Sequence, residues 1–466
     1  MKVNALHSTW SIEDFNVGKY DGKMKKSILF LLLNFLVVSI FAQEWVNLGS
    51  YHPTRPQVVL RSADQKSTTV EFSLNGYFIN KVSTPQGLQS IISVPDMASM
   101  LEEGSPDLPL FAIPILIDDK AEMSLVVNHV QYVDVQDVEI APSKGNLCRQ
   151  IDPDDVPFRY GEVYRSDAFF PDCLARLDQP YIYRDFRGQN ILVYPFAYNP
   201  IQKTLRVFTH LTLTVQLDEG QGDNPKLRSR SSVRLSPEMQ AQYARRFVNF
   251  GANAAKYTFV PDEGEMMVIC PEQYMPAMQS LIEWKNASGR PTTMYSLTEV
   301  GGNDANLIKS FILSHYNNPD ENLCYVLLVG DYDDLTPYPL GGGRSDIWFG
   351  QLEGNDYYPE VLVGRFSVES VADVENQVTK VIYYERDMPV TAEWLSHGIG
   401  IGSTEGAGTG HNGGESDYQH IEYIRDTLLH YTYTEVAQHY AGVGAGTNAA
   451  MLSADFNAGV GICNYL

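Results

Sequence analysis

The feature that most constrains this chain is an alternation in its second half. Between residues 257 and 466, short and almost wholly apolar runs alternate with stretches of helical period. The runs predicted as strands are 266–270, 292–297, 324–330, 361–366, 398–402, 436–440 and 460–466. Between them, Leu307, Ile308, Phe311, Ile312 and Tyr316 share one helical face, as do Val371, Val374, Val378 and Val381. Apolar strands separated by amphipathic helices specify an α/β domain, a mostly parallel sheet with helices on both faces. Sheets of this kind place their sites in loops at the carboxyl ends of the strands. The residues that follow each strand are therefore the ones to read for chemistry.

The first half has a different period. In 204–217, Leu205, Val207, Leu211, Leu213, Val215 and Leu217 fall on one face, with Arg206, His210, Thr212, Thr214 and Gln216 opposite. Strict alternation is the mark of a half-buried strand. Similar runs at 69–74, 111–117 and 123–133, punctuated by Pro and Gly, predict a β-sandwich over 43–217. Residues 218–256 then turn polar and collect Arg228, Arg230, Arg234, Arg245 and Arg246. That stretch is expected to be an exposed, cleavable connector, with a linker helix over 236–250 as the alternative.

Charge and cysteine usage narrow the function classes. With 34 basic and 57 acidic residues the formal charge is −23. Such a surface argues against nucleic acid and anionic membranes as partners and leaves calcium as a suitable counter-ion. The five cysteines are scattered without a CxxC pair, which argues against a zinc ribbon or a disulfide scaffold. Cys270, Cys324 and Cys463 lie within apolar runs and are expected to be structural thiols. Near the start, Met24-Lys25-Lys26 precedes an apolar core from 28 to 41 and then Ala42. This is the layout of a secretory signal peptide over 24–42, with 1–23 an over-extended gene start. No later segment is apolar enough to span a bilayer, so the product is expected to be secreted or displayed at the cell surface.

Two segments after strands carry oxygen-rich chemistry. The first follows 324–330, beginning at Asp331; further on in it Asp356 and Glu360, with Glu353 and the carbonyls of a turn, suit a hard cation such as calcium. An ordinary solvated acidic turn is the plain alternative. The second runs from Ser403-Thr404-Glu405 through a Gly-rich turn to His411, Glu415, Asp417 and His420. It lacks the ending of a phosphate loop and is no dinucleotide fingerprint. His411 and His420 with the acids suggest zinc, but at a spacing no usual zinc helix has. Glu415 and Asp417 also open a helical period, where carboxylates favour the positive helix end.

These residues carry a resemblance. Trp284-Lys285-Asn286, Tyr325 through Asp331, Gly354-Asn355-Asp356 through Gly364-Arg365-Phe366, Tyr384-Glu385-Arg386, Asn412 through His420, and Asn464-Tyr465 are similar to the gingipains. Those are family C25 cysteine endopeptidases with a caspase-like α/β fold, and the β-rich front resembles their propeptide, including Gly104 through Pro109. The resemblance implies that Glu405 supports a catalytic histidine and that Asp417 floors a pocket for a substrate arginine. It also implies calcium at Asp331, Asp356 and Glu360 and at the carbonyls of Glu353 and Tyr358, with Glu415 and His420 around a further ion. It implies protein or peptide substrates as well, with the chain's own propeptide as an intramolecular inhibitor.

The family places its histidine just after Asn464-Tyr465 and its cysteine after the next strand. The 466-residue chain is therefore expected to lack the dyad and to be inactive as it stands. Cys463 lies inside a strand and is not promoted to nucleophile. Lys256, not arginine, precedes Tyr257 at the expected junction of propeptide and enzyme, so a cut at Arg245 or Arg246, or processing by another protease, is the alternative. The leading expectation is a secreted, arginine-directed cysteine endopeptidase zymogen. The alternatives are a non-catalytic secreted binding or adhesion protein and a zinc hydrolase using His411 and His420.

Overall fold

The computed structural model of the protein describes residues 44–148, 151–228, 232–253, 258–406, 415–444 and 446–466. Signal peptide, Lys256–Tyr257 junction and His411 lie outside them. The chain divides into units of 1–44 and 45–466, and both halves read from the sequence belong to the second unit.

The front of this unit is the expected β-structure. The long strand Thr204–Gln221 pairs antiparallel with Ser67–Ser73 on one side and Ala121–Val135 on the other. A second sheet is built on Phe186–Val193 and Pro109–Leu116, again antiparallel. Val70, Phe72, Leu205, Val207, Leu211 and Leu213 from one sheet meet Ile113, Ile115, Ile191 and Val193 from the other in a single core. This is a sandwich, to which a third sheet of three strands (Glu44–Asn47, Gly76–Thr84, Gly87–Ser93) is added. Leu217, expected inside with its alternating neighbours, is exposed because it lies where the strand runs past the core.

The connector expected over 218–256 is largely built into the fold. Its first residues extend the strand Thr204–Gln221, and Ser232–Leu235 pairs parallel with Thr258–Pro261. Ser236 then caps the helix Pro237–Arg246, accepting from the Met239 N–H at 3.2 Å. Tyr243, Phe247 and Phe250 pack with Tyr181, Phe186, Val233 and Leu235 in one cluster. Apolar residues interleaved with the arginines decide the matter, since about 25 cal/mol is gained per Å2 of apolar surface buried. Arg245 is exposed but Arg246 is half-buried, and both sit on a helix followed by the buried Phe247 and Asn249. An extended protease substrate cannot form there without unpacking that cluster.

The second half contains the predicted strands as Glu265–Cys270, Thr292–Ser296, Leu323–Val329, Leu362–Phe366, His397–Gly402, Glu435–Tyr440 and Ile462–Tyr465. They form two parallel sheets where one was expected. The first has four strands and is centred on Glu265–Cys270 and Leu323–Val329. The second has three, with His397–Gly402 in the middle. Both faces of the first sheet are covered. Met267, Ile269, Val326 and Leu328 pack on Ile308 and Ile312, while Val268, Cys270, Leu327 and Val329 pack on Met278, Leu281, Val374 and Val378. Leu307 and Val371, placed on the buried helical faces by periodicity, are exposed at the rims of those faces. Among the described residues no helix is long and apolar enough to cross a membrane.

Candidate functional site

At the carboxyl end of His397–Gly402 the chain turns through Ser403 and Glu405 and returns in the helix Asp417–Tyr431. Glycine makes this return close. A Cβ on Gly402 would lie 2.9 Å from the Tyr418 backbone, so only glycine lets the helix start lie against the strand end. Ser416 caps the helix in a reciprocal box with Gln419. The Asp417 N–H donates to the Glu405 carbonyl at 3.0 Å, and Tyr418 N–H to the Ser403 carbonyl at 2.9 Å. The Ser403 hydroxyl donates to Asp417 Oδ2 at 3.1 Å, while the Glu405 N–H donates to Ser403 Oγ at 3.0 Å. Glu405 and Asp417, twelve positions apart in sequence, are thus neighbours, Glu405 exposed and Asp417 buried. A buried carboxylate at a helix start is stabilised by the positive end of the helix and by its hydroxyl donor. It is suited to select a cationic group. One turn on, Glu415 and His420 are paired at 2.8 Å.

The acidic turn is a separate place. Glu353, Asp356, Tyr358 and Glu360 lie on the approach to Leu362–Phe366, at the amino end of that strand. Asp331 follows Leu323–Val329 and donates its N–H to the Val368 carbonyl, beyond the carboxyl end of the neighbouring strand. With Tyr325 opposite Leu362 and Val329 opposite Phe366 in parallel register, these two places are separated by roughly 15 Å of strand. Asp331 and the turn cannot share one ion. Asp331 instead accepts from the Ser367 hydroxyl at 3.1 Å.

Within the turn, Glu360 is the unusual group. It is 1% exposed, and its Oε2 accepts the Leu352 and Glu353 N–H groups at 2.7 and 2.9 Å. Its Oε1 is buried without a partner among the described residues. Burial, partly offset by those N–H donors, pushes the carboxyl up to about 7. An orphaned, buried carboxylate oxygen fits a hard cation. The other carboxylates have donors. Asp356 Oδ2 accepts from the Ile182 N–H at 2.7 Å and Asn224 Nδ2 at 2.8 Å, and Oδ1 accepts from the Tyr358 N–H. Glu353 accepts from Lys226 at 2.5 Å. No cluster of three or more His, Cys, Asp or Glu suited to a metal occurs among the described residues.

Other motif residues hold the scaffold. Trp284 Nε1 and Lys285 Nζ donate to the two oxygens of Glu385, at 2.8 and 2.6 Å, joining two helices a hundred residues apart in sequence. Arg365 donates to the Gly330 and Leu335 carbonyls and forks onto Asp346, which fixes the loop that holds Asp331. Cys463 lies in Ile462–Tyr465 and, against the expectation of a structural thiol, is exposed there, unlike the buried Cys270 and Cys324; partial desolvation raises its thiol rather than activating it.

The sheet-end pair, the acidic turn and these clamps all lie in segments shared with known proteins. The model of the C25 propeptide matches residues 50–233, and that of peptidase family C25 matches residues 260–466. The chain belongs to peptidase family C25. Gingipain R2 of Porphyromonas gingivalis is 34% identical over 88% of this C25 chain and 55% of its own length. Lys-gingipain of the same organism is 23% identical over 95% of the chain and 26% of its own. The crystal structure of the Arg-specific cysteine proteinase gingipain R shares 35% identity over 43% of this chain and 46% of that one, at a TM-score of 0.41. The C25 chain therefore spans between about a quarter and about half the length of the curated relatives it matches. The two matched segments meet between 233 and 260, within the stretch that the fold packs around Tyr243 and Phe247.

Residue reasoning from sequence missed the groups that reach the acidic turn from the front domain. Arg184, Asn224 and Lys226 carry no motif, and an arginine between two strands reads as an ordinary surface turn.

Proposed function

We propose that this C25 chain is the zymogen portion of a secreted cysteine endopeptidase that cleaves after arginine. The observation that carries the reading is the adjacency of Glu405 and Asp417 at the carboxyl end of a parallel strand, in a segment matched by the peptidase family. Glu405 orients the imidazole of the catalytic histidine, as a carboxylate partner does in nucleophile–base pairs. Asp417 receives the substrate guanidinium, and the rigid fork of arginine suits a buried carboxylate better than the lysine ammonium does. Higher identity to gingipain R2 than to Lys-gingipain supports arginine over lysine. Residues 43–256 form the propeptide, which covers the enzyme until it is cut away, and the signal at 24–42 exports the chain.

Sequencing past residue 466 tests the peptidase reading. A Gly-His-Gly after Leu466 and a later Ala-Cys behind a strand are expected, and other residues at both places overturn it in favour of a binding protein. In the whole gene product, Asp417→Asn is expected to lower kcat/KM for arginyl substrates by about 100-fold, the scale of a lost buried charge pair. Loss shared equally by uncharged substrates would refute the specificity role.

Calcium belongs to the same proposal as a structural ion at the 353–360 turn, held by Glu360, Asp356 and the Glu353 and Tyr358 carbonyls. The partnerless Glu360 oxygen supports it. Calcium at a hundred times its dissociation constant stabilises the native chain by about 2.7 kcal/mol. Thermal unfolding should show that increment, and Glu360→Gln should abolish it. Equal stabilisation of both proteins by calcium, or none in either, rejects the ion at this turn.

A further inference from the structure

The front domain reaches the α/β domain through a hairpin whose tip is Arg184-Asp185. Tyr183 pairs with Phe186 across it, so the loop has two residues and its first must accept a left-handed conformation. Arg184 does so, with φ of 51°. That conformation ordinarily favours glycine or asparagine. An arginine held there, and only 7% exposed, points to a function for its guanidinium. Its Nη1 donates to the Glu360 carbonyl at 3.0 Å and its Nη2 to Cys324 Sγ at 2.7 Å. Its Nε is paired with Asp185, which the Tyr243 hydroxyl holds from behind at 2.6 Å.

A second cation enters beside it. Lys226 is 5% exposed, and its ammonium donates to Glu353 and to the Tyr316 hydroxyl. Between the two, Asn224 bridges the domains in both senses. Its Nδ2 donates to Asp356, and its Oδ1 accepts the Asn355 N–H at 2.9 Å. Cys324 is the second residue of its strand, and Glu360 precedes the next one. This notch therefore sits at the amino ends of the first sheet, whereas Glu405 and Asp417 lie at a carboxyl end of the second.

We propose that the notch is the docking site that retains the propeptide after the chain is cut, independently of the Glu405–Asp417 site. Arg184 and Lys226 are its two basic plugs. The inference rests on the reading of residues 43–256 as a propeptide, but not on the peptidase activity, because its readout is association. The desolvated Lys226–Glu353 ion pair suits retention, and Arg184, its charge balanced by Asp185 in its own hairpin, adds hydrogen bonds to the Glu360 carbonyl and Cys324. Removing one member leaves the other charge buried and unpaired, so dissociation accelerates steeply.

The test uses the full chain with a recognition site for a specific protease inserted between Lys256 and Tyr257. After cutting, the two fragments are expected to co-elute in size exclusion at about 0.15 M salt, where exposed charges are screened beyond about 8 Å. Lys226→Glu should weaken their association by at least about 100-fold, and Glu353→Lys in the same chain should restore most of it. Glu353→Gln alone removes the pair from the opposite fragment and should weaken binding as well, which separates a lost contact from a misfolded propeptide. Spontaneous separation of the unmodified fragments overturns the proposal. So does a dissociation constant for Lys226→Glu and Glu353→Gln within threefold of the parent, or a charge swap that restores nothing.

Discussion

Single side chains in this protein hold loops that backbone pairing leaves open. Arg187 is 1% exposed in the interior of the propeptide. It donates to four carbonyls, those of Asp118 and Ala121 through Nη1, Asn224 through Nε and Asp223 through Nη2. Removing it strands those acceptors, and charged hydrogen bonds contribute about 1.5–3 kcal/mol each. Arg187→Met is expected to destabilise the propeptide by about 3–5 kcal/mol, read as a lowered urea midpoint of its unfolding transition. An unchanged midpoint would mean that water replaces the guanidinium. Thiols offer a second check. Burial pushes Cys270 up to about 12 and raises Cys324 against the lowering effect of Arg184, whereas Cys148 is exposed. Alkylation at about pH 8 should modify Cys148 and spare Cys270 and Cys324 until the chain is unfolded, because only the thiolate reacts. Mass spectrometry of the labelled peptides decides it.

Elements were legible wherever their period was strong. All seven strands predicted for the second half occur within two residues of their predicted limits, since apolar runs bounded by Gly, Pro and polar turns leave little choice. The connector departs from its expected exposure for a physical reason. Its arginines dominate the composition, but Val233, Leu235, Tyr243, Phe247 and Phe250 dominate the energetics. Close packing of one element on another was also beyond a periodicity argument. Gly400 and Gly402 let the helix Asp417–Tyr431 approach the strand His397–Gly402, with Ile421 over Gly400 and Tyr418 over Gly402. Gly402→Ala should move the helix start and cost about 1–3 kcal/mol, as overpacking does. Thermal denaturation would register the loss, and a melting temperature within a degree of the parent would count against the close approach.

On the scale of the molecule, the sandwich and the first parallel sheet have separate cores. They are joined by the cluster around Tyr243 and Phe247, which Tyr358 of the acidic turn touches, and by the notch of Arg184, Asn224 and Lys226. Calorimetry is expected to show two transitions. Ile115→Ala should lower one and Leu328→Ala the other, each by the equivalent of about 2–5 kcal/mol. A single transition displaced equally by both would instead make the zymogen one cooperative unit. The sequence alone determined the two fold classes, the order of their strands and the identity of the residues at the sheet end, because these depend on local period and on turns. Tertiary structure decided that the parallel strands divide into two sheets, and that Asp331 lies apart from the acidic turn. It also brought Lys226 to Glu353 and Arg184 to the Glu360 carbonyl across 127 and 176 residues. Such pairings depend on how independently folded layers meet, and no local pattern of residues encodes that.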